Sequence, residues 1–121
     1  MKNSPTQRSL KYLRDLGYVA QVVEHWNYFA KIRQDLFGII DIVAIHPDKS
    51  GVLGVQTTSA TNLSARVQKS KLNKVLPIWI KAGNFFEVHG WGLKGKKGEK
   101  KTYQLGIRTL PLEELYLDTT P

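Results

Sequence analysis

Apolar residues recur along this chain at two different spacings, and the switches between them mark out its elements. In SPTQRSLKYLRDLG, Leu10, Leu13 and Leu16 fall three apart, the apolar stripe of a surface helix. Ser4 stands as its N-cap, Pro5 takes the first helical position, Gln7 completes a capping box and Gly17 ends it. YVAQVVEHW is dense in Val and aromatics and predicts a strand over residues 18–26. NYFAKIRQDLFG predicts a loop or bent segment leading into the strand IIDIVAI. HPDKSG has the Pro, Asp and Gly of a turn, and VLGVQTT is the partner strand, so residues 39–58 predict a hairpin. After SATN, LSARVQKSKLNKV predicts a basic helix, and PIWIKA, from Pro77 to Ala82, a short second one capped by Gly83. NFFEVHGWGL and TYQLGIRTL predict two more strands joined by KGKKGEKK, and PLEELYL a closing helical turn. The predicted order is αβββαββ, an α+β domain with helices flanking one mixed β-sheet.

Composition adds bounds. The 121 residues suit a single domain spanning 1–121, and 41% hydrophobic with 10% aromatic residues can build a core. The absence of cysteine excludes disulfides and thiolate metal sites. MKNSPTQRSL lacks the apolar centre of a signal peptide, and no apolar run reaches membrane-spanning length. The expectation is a soluble, cytoplasmic protein with no membrane partner and no small-molecule cofactor.

Charge is unevenly placed. Residues 1–48 hold 6 Lys/Arg and 5 Asp/Glu, net +1; residues 49–112 hold 12 Lys/Arg against Glu87 and Glu99, net +10. The tail, with Glu113, Glu114 and Asp118, is net −3. Acids early and bases in the middle fit a carboxylate site beside a surface for a polyanion; the plainer reading is a solvated basic surface.

The most informative position is Asp41, a carboxylate within IIDIVAI. Burying it is costly unless something pairs with it. By strand alternation Asp41 shares a face with Ile39 and Val43, and Gln56 shares one with Thr58. With the hairpin in register, Asp41, Gln56 and Glu24, near the end of the first strand, converge from neighbouring strands. Two carboxylates and an amide oxygen form the all-oxygen set that a hard cation such as magnesium or manganese takes.

An acid in a strand, a tight turn and a second strand ending in an acid or glutamine, a spacer and a lysine resemble the core motif of the PD-(D/E)XK nuclease superfamily. IIDIVAIHPDKSGVLGVQTTSA is most similar to the archaeal Holliday-junction resolvases and small phage endonucleases, and the resemblance covers residues 4–91. It implies a restriction-endonuclease-like core and a magnesium-dependent endonuclease acting on DNA, with branched DNA and a homodimer as further expectations. On that resemblance Asp41 is the motif aspartate, Gln56 stands for the second acid and Glu24 is an additional upstream acid. The motif lysine is replaced by Thr58, whose hydroxyl carries no charge. Arg66 and Lys69, three apart on the following helix, and Lys71 are the cations available in its place. The alternative is a nucleic-acid-binding module that keeps the nuclease fold without catalysis. A third reading is a basic fold with an unrelated partner.

Other residues admit two uses. Asp35 is either a further metal-site acid or a cap for the turn before the strand. Arg33 either grips a phosphate or pairs with Asp35. His25, His46 and His89 have no metal-ligand spacing and read as surface or packing residues. Trp79 reads as core, and Trp26 and Trp91 as packing residues or base-stacking ones. The five lysines of KGKKGEKK, Lys94, Lys96, Lys97, Lys100 and Lys101, form either a phosphate-neutralising finger or a solvated tip.

Overall fold

A computed structural model describes residues 3–117 of the chain. Five strands form one mixed sheet in the order β1-β4-β5-β6-β7: β1 (Val19–Val22), β4 (Ile42–His46), β5 (Lys49–Ser59), β6 (Phe85–Lys94) and β7 (Thr102–Thr109). All neighbours are antiparallel except β5 and β6, which run parallel through a crossover built from α2 (Leu63–Lys71) and α3 (Leu76–Lys81). A separate small hairpin, β2 (His25–Asn27) and β3 (Ile32–Gln34), is inserted between β1 and β4. The protein is therefore α+β, with a mixed five-stranded sheet flanked by helices.

Strand alternation divides the core between the two faces. Leu10 and Leu13 of α1 (Pro5–Asp15) pack on Ala20, Ile42, Ala44, Leu53 and Val55. On the other face Val67 and Leu76 of the crossover helices cover Ile39, Ile40, Phe86, Val88 and Leu110. Gly90 and Gly92 of β6 let the crossover approach closely: a Cβ on Gly92 would lie 2.7 Å from the Ala60 Cβ, and one on Gly90 3.1 Å from that of Leu63. The start of α1 follows its sequence signals, with Ser4 Oγ accepting the Gln7 N–H at 3.2 Å and Pro5 opening the helix. Gly17, at φ +94°, takes the left-handed position past its end.

Several boundaries differ from the sequence pattern. Leu16 leaves the α1 stripe and is 52% exposed, because it lies beyond the last helical turn. The strand over 18–26 divides: Val22 packs on the α1 face, Val23 on the opposite core, and the chain then leaves the sheet to begin β2. The segment 27–38 holds β3, which pairs His25 with Gln34, Trp26 with Arg33 and Asn27 with Ile32. Regular β4 pairing starts only at Ile42, so Asp41 lies just outside the ladder. The helix over 63–75 stops at Lys71, where Asn73 turns the chain by accepting the Val75 and Leu76 N–H groups. Trp79 is only partly buried, its indole N–H donating to the Phe85 carbonyl at 2.8 Å. PLEELYL contributes one 3-10 turn, Leu112–Glu114, and Asp118 lies outside the described residues.

Candidate functional site

The root of the inserted hairpin gathers three carboxylates. His25 and Gln34 form its first pair, so Glu24 before β2 and Asp35 after β3 face each other where the two strands leave the sheet. A tight turn then returns the chain. Phe37 (φ 55°) and Gly38 (φ 79°) are both left-handed, and Ile39 N–H donates to the Leu36 carbonyl at 3.2 Å. That turn brings Asp41 back beside Asp35. One carboxylate oxygen from each of Glu24, Asp35 and Asp41 lies within 4.8 Å of the other two.

Asp41 is 4% exposed and tied to β5. Its Oδ2 accepts the Thr57 N–H at 2.8 Å and the Thr57 hydroxyl at 3.2 Å, where the β4–β5 ladder has ended. Burial, then a hydrogen bond shared with the Asp35 carboxyl, raises Asp41 from the ordinary 3.8 to about 8. The Thr57 N–H opposes the rise, and the charges of Asp35 and Glu24 add to it. Asp41 thus keeps its proton around neutrality. Arg33 offsets part of the charge by pairing with Glu24 at 3.1 Å, with its guanidinium mostly in solvent.

Next to the trio opens a cleft of about 560 Å³ whose walls include His25, Arg33, Gln34, Asp35 and Lys69. Lys69, from α2, is the one Lys or Arg of the crossover helices on that wall. The arrangement offers hard oxygen donors at one end, two cations along the side and open solvent beyond. The donor set suits a divalent cation such as magnesium or manganese, which would displace the Asp41 proton and offset the buried charge.

The sequence-predicted residues distribute as follows. Asp41 and Glu24 come together, but the third member of the cluster is Asp35. Gln56 is directed elsewhere: its Oε1 accepts from Ser70 of α2 at 3.1 Å, inside the opposite core, while Thr57, on the other face of β5, holds Asp41. The Gln56 Nε2 is buried without a hydrogen-bond partner. The expectation of Gln56 as a ligand beside Asp41 is therefore corrected to a buried residue bonded to α2. Thr58 is buried, and Arg66 is half-buried on α2. Lys71 lies over the Tyr116 ring at 5.5 Å, engaged with the C-terminal segment. Arg33 pairs with Glu24 and not with Asp35, and the Asp35 carboxylate lies beside those of Glu24 and Asp41. Lys94, Lys96, Lys97, Lys100 and Lys101 are all exposed around the β6–β7 connection.

Asp35 was underweighted for a physical reason. A hairpin without Gly or Pro in its turn gives a weak sequence signal, and without the hairpin Asp35 has no route to Glu24. His89, by contrast, is fully buried, its Nδ1 2.9 Å from Ser9 Oγ and its Nε2 2.9 Å from Glu87. It is a packing residue, with the Tyr12 ring edge-on at 5.9 Å.

Comparison of the chain with protein-family models, curated proteins and solved structures gives no match. Among the described residues no helix is long and apolar enough to cross a membrane.

Proposed function

We propose that this protein is a metal-dependent nuclease that hydrolyses phosphodiester bonds in DNA, with a restriction-endonuclease-like core as its scaffold. The observation that carries the reading is the Glu24, Asp35 and Asp41 cluster opening beside a cleft that Lys69 also lines. Buried carboxylates that repel one another are destabilising by themselves, and a divalent cation is the ligand that offsets them. A bound magnesium or manganese ion supplies Lewis-acid polarisation of a phosphate and a more acidic water.

The chain's own residues have separable tasks. Asp41 is fixed in orientation by Thr57, so one of its oxygens is committed to the sheet and the other faces Asp35 and Glu24. Arg33 screens Glu24 at the solvent edge. Lys69 stands where a phosphate entering the cleft gains a cation, taking up the task of the lysine missing at Thr58. The exposed lysines of the β6–β7 connection add contacts to the backbone of the polyanion that are independent of sequence.

A cleavage assay on supercoiled plasmid and on a four-way junction, with magnesium or manganese, tests the reading. Metal-dependent cutting that disappears in Asp41→Asn is the expected result. Salt-sensitive binding without cutting under either metal would replace the nuclease with a binding module of the same fold.

A further inference from the structure

The inserted hairpin carries two large aromatic side chains at its turn that are mostly open to solvent, and a third, half-covered, on its first strand. Phe29 is fully exposed at 101%, Tyr28 81% and Trp26 47%. Aromatic side chains of this size are ordinarily at least half covered, so Tyr28 and Phe29 form an apolar tip that nothing among the described residues covers, with Trp26 beside it. The tip is held in shape. Asn27 Oδ1 accepts the N–H groups of Phe29 and Ala30, each at 3.0 Å, Asn27 Nδ2 donates to Gln34 at 3.2 Å, and Lys31 adopts a left-handed φ of 55°. The turn is thus pinned in a conformation that keeps Tyr28 and Phe29 outward.

Its charge is one-sided. From His25 to Gln34 there is no acidic residue, while Lys31 and Arg33 are both exposed. The acids sit at the root instead, in Glu24 and Asp35. Tyr28 lies four residue steps beyond Glu24, roughly 13 Å at about 3.3 Å per residue. That is about four nucleotides along a stacked strand. Exposed aromatic faces with interspersed cations suit nucleobases that are free to leave their stack, because every base offers a π-face and its backbone a negative charge. A second copy of this hairpin would bring like charges together, which argues against self-association through the tip.

We infer that the β2–β3 hairpin is a base-stacking finger that engages unpaired or unstacked nucleobases close to the acidic cluster. It selects nucleic acid with single-stranded or distorted segments over regular duplex. This inference takes its substrate from the nuclease reading, but its test reads binding and not cleavage.

The test compares the full-length protein with a Tyr28→Ala/Phe29→Ala variant by fluorescence anisotropy, in calcium-containing buffer. Three labelled oligonucleotides serve as probes: a single strand, the fully paired duplex, and the same duplex with a central unpaired bulge. The wild-type protein is expected to prefer the single strand and the bulged duplex. The double variant loses roughly tenfold or more on those two and little on the paired duplex. Equal affinity of the wild-type protein for all three probes, or an equal loss on all three in the variant, overturns the inference. So does a lowered melting temperature in the variant, which would make the tip part of the packed fold. A wild-type dimer that becomes monomeric in the variant with unchanged DNA affinity overturns it as well, by assigning the tip to a second copy. Selective binding of the bulged probe by a protein that never cuts DNA keeps the finger and removes the nuclease; cutting without selectivity does the reverse.

Discussion

Two polar clusters lie along the sheet, and they meet the cost of burial in opposite ways. Under α1, Trp91 N–H donates to Ser9 Oγ at 2.8 Å, and Ser9 lies 2.9 Å from His89 Nδ1, whose other nitrogen meets Glu87 at 2.9 Å. Since an indole N–H only donates, Ser9 accepts from Trp91, while the two His89 nitrogens lie between Ser9 Oγ and the Glu87 carboxylate. The indole N–H and both imidazole nitrogens in this chain each have a partner. At the root of the inserted hairpin, three carboxylates accept and none donates unless it holds a proton, and among the described residues only Thr57 and Arg33 answer them. A closed network stabilises a fold; one with surplus negative charge costs stability until a proton or a cation offsets it. The geometry alone, a Ser, a His and a Glu in line, would suggest chemistry under α1, but Ser9 and His89 are inaccessible.

Perturbing each cluster separately sharpens the contrast. The largest effect is expected from Asp41→Asn, which should remove metal-dependent cleavage entirely. The variant's ion-free stability at pH 8 should stay level or rise, because a repelled buried carboxylate is gone. A marked loss of stability instead would make Asp41 a structural acid.

Ser9→Ala is the mirror experiment. It strands the Trp91 N–H and one His89 nitrogen in the core, which should cost about 2–3 kcal/mol in a denaturant titration. Cleavage should be unaffected at temperatures where the variant is folded.

Proton linkage separates the clusters next. Asp41 lies at about 8 in the folded protein against 3.8 ordinarily, so between those values the unfolded chain releases a proton that the folded one keeps. Ion-free stability attributable to Asp41 is therefore present in full below about pH 3.8 and is lost as pH rises toward 8. Metal binding must expel that proton, so manganese affinity measured by calorimetry should climb by up to about tenfold per pH unit, levelling above pH 8. An affinity independent of pH from 6 to 8 would place the ion elsewhere.

Smaller effects concern the cations. Lys69→Ala should lower the cleavage rate while leaving metal affinity nearly unchanged, and Lys69→Arg should restore part of the rate. Neutralising one of Lys96, Lys97 or Lys100 should weaken binding alike for all DNA sequences. Each should also reduce the slope of log affinity against log salt by about one. A sequence-dependent loss would mean that the connection reads bases.

Much of this molecule was legible before its structure. Ser4, Pro5 and Gly17 bracket α1, because capping and left-handed conformations are local properties of those residue types. The hairpin around HPDKSG and the two strands flanking KGKKGEKK followed from alternation and turn chemistry. Asp41 stood out because a carboxylate among Ile and Val violates the pattern around it. Other features were out of reach of local signals. The β2–β3 pairing has no Gly or Pro at its turn, so nothing local separated residues 18–26 into two strands. Without that hairpin, Glu24 and Asp35 are eleven positions apart with no reason to meet.

Gln56 marks the boundary most clearly. Strand alternation correctly put it opposite Thr57 in orientation, but alternation does not say which face holds the acids. The start of the β4 ladder at Ile42 left Asp41 free to bond Thr57, while α2 brought Ser70 to Gln56. The sequence by itself determined which segments fold as helix or strand, where they turn and which carboxylate is costly, all functions of neighbouring residues. Only the tertiary structure decided which acids share a site, because that depends on an inserted hairpin, an irregular strand start and a crossover helix, each fixed by contacts between distant residues.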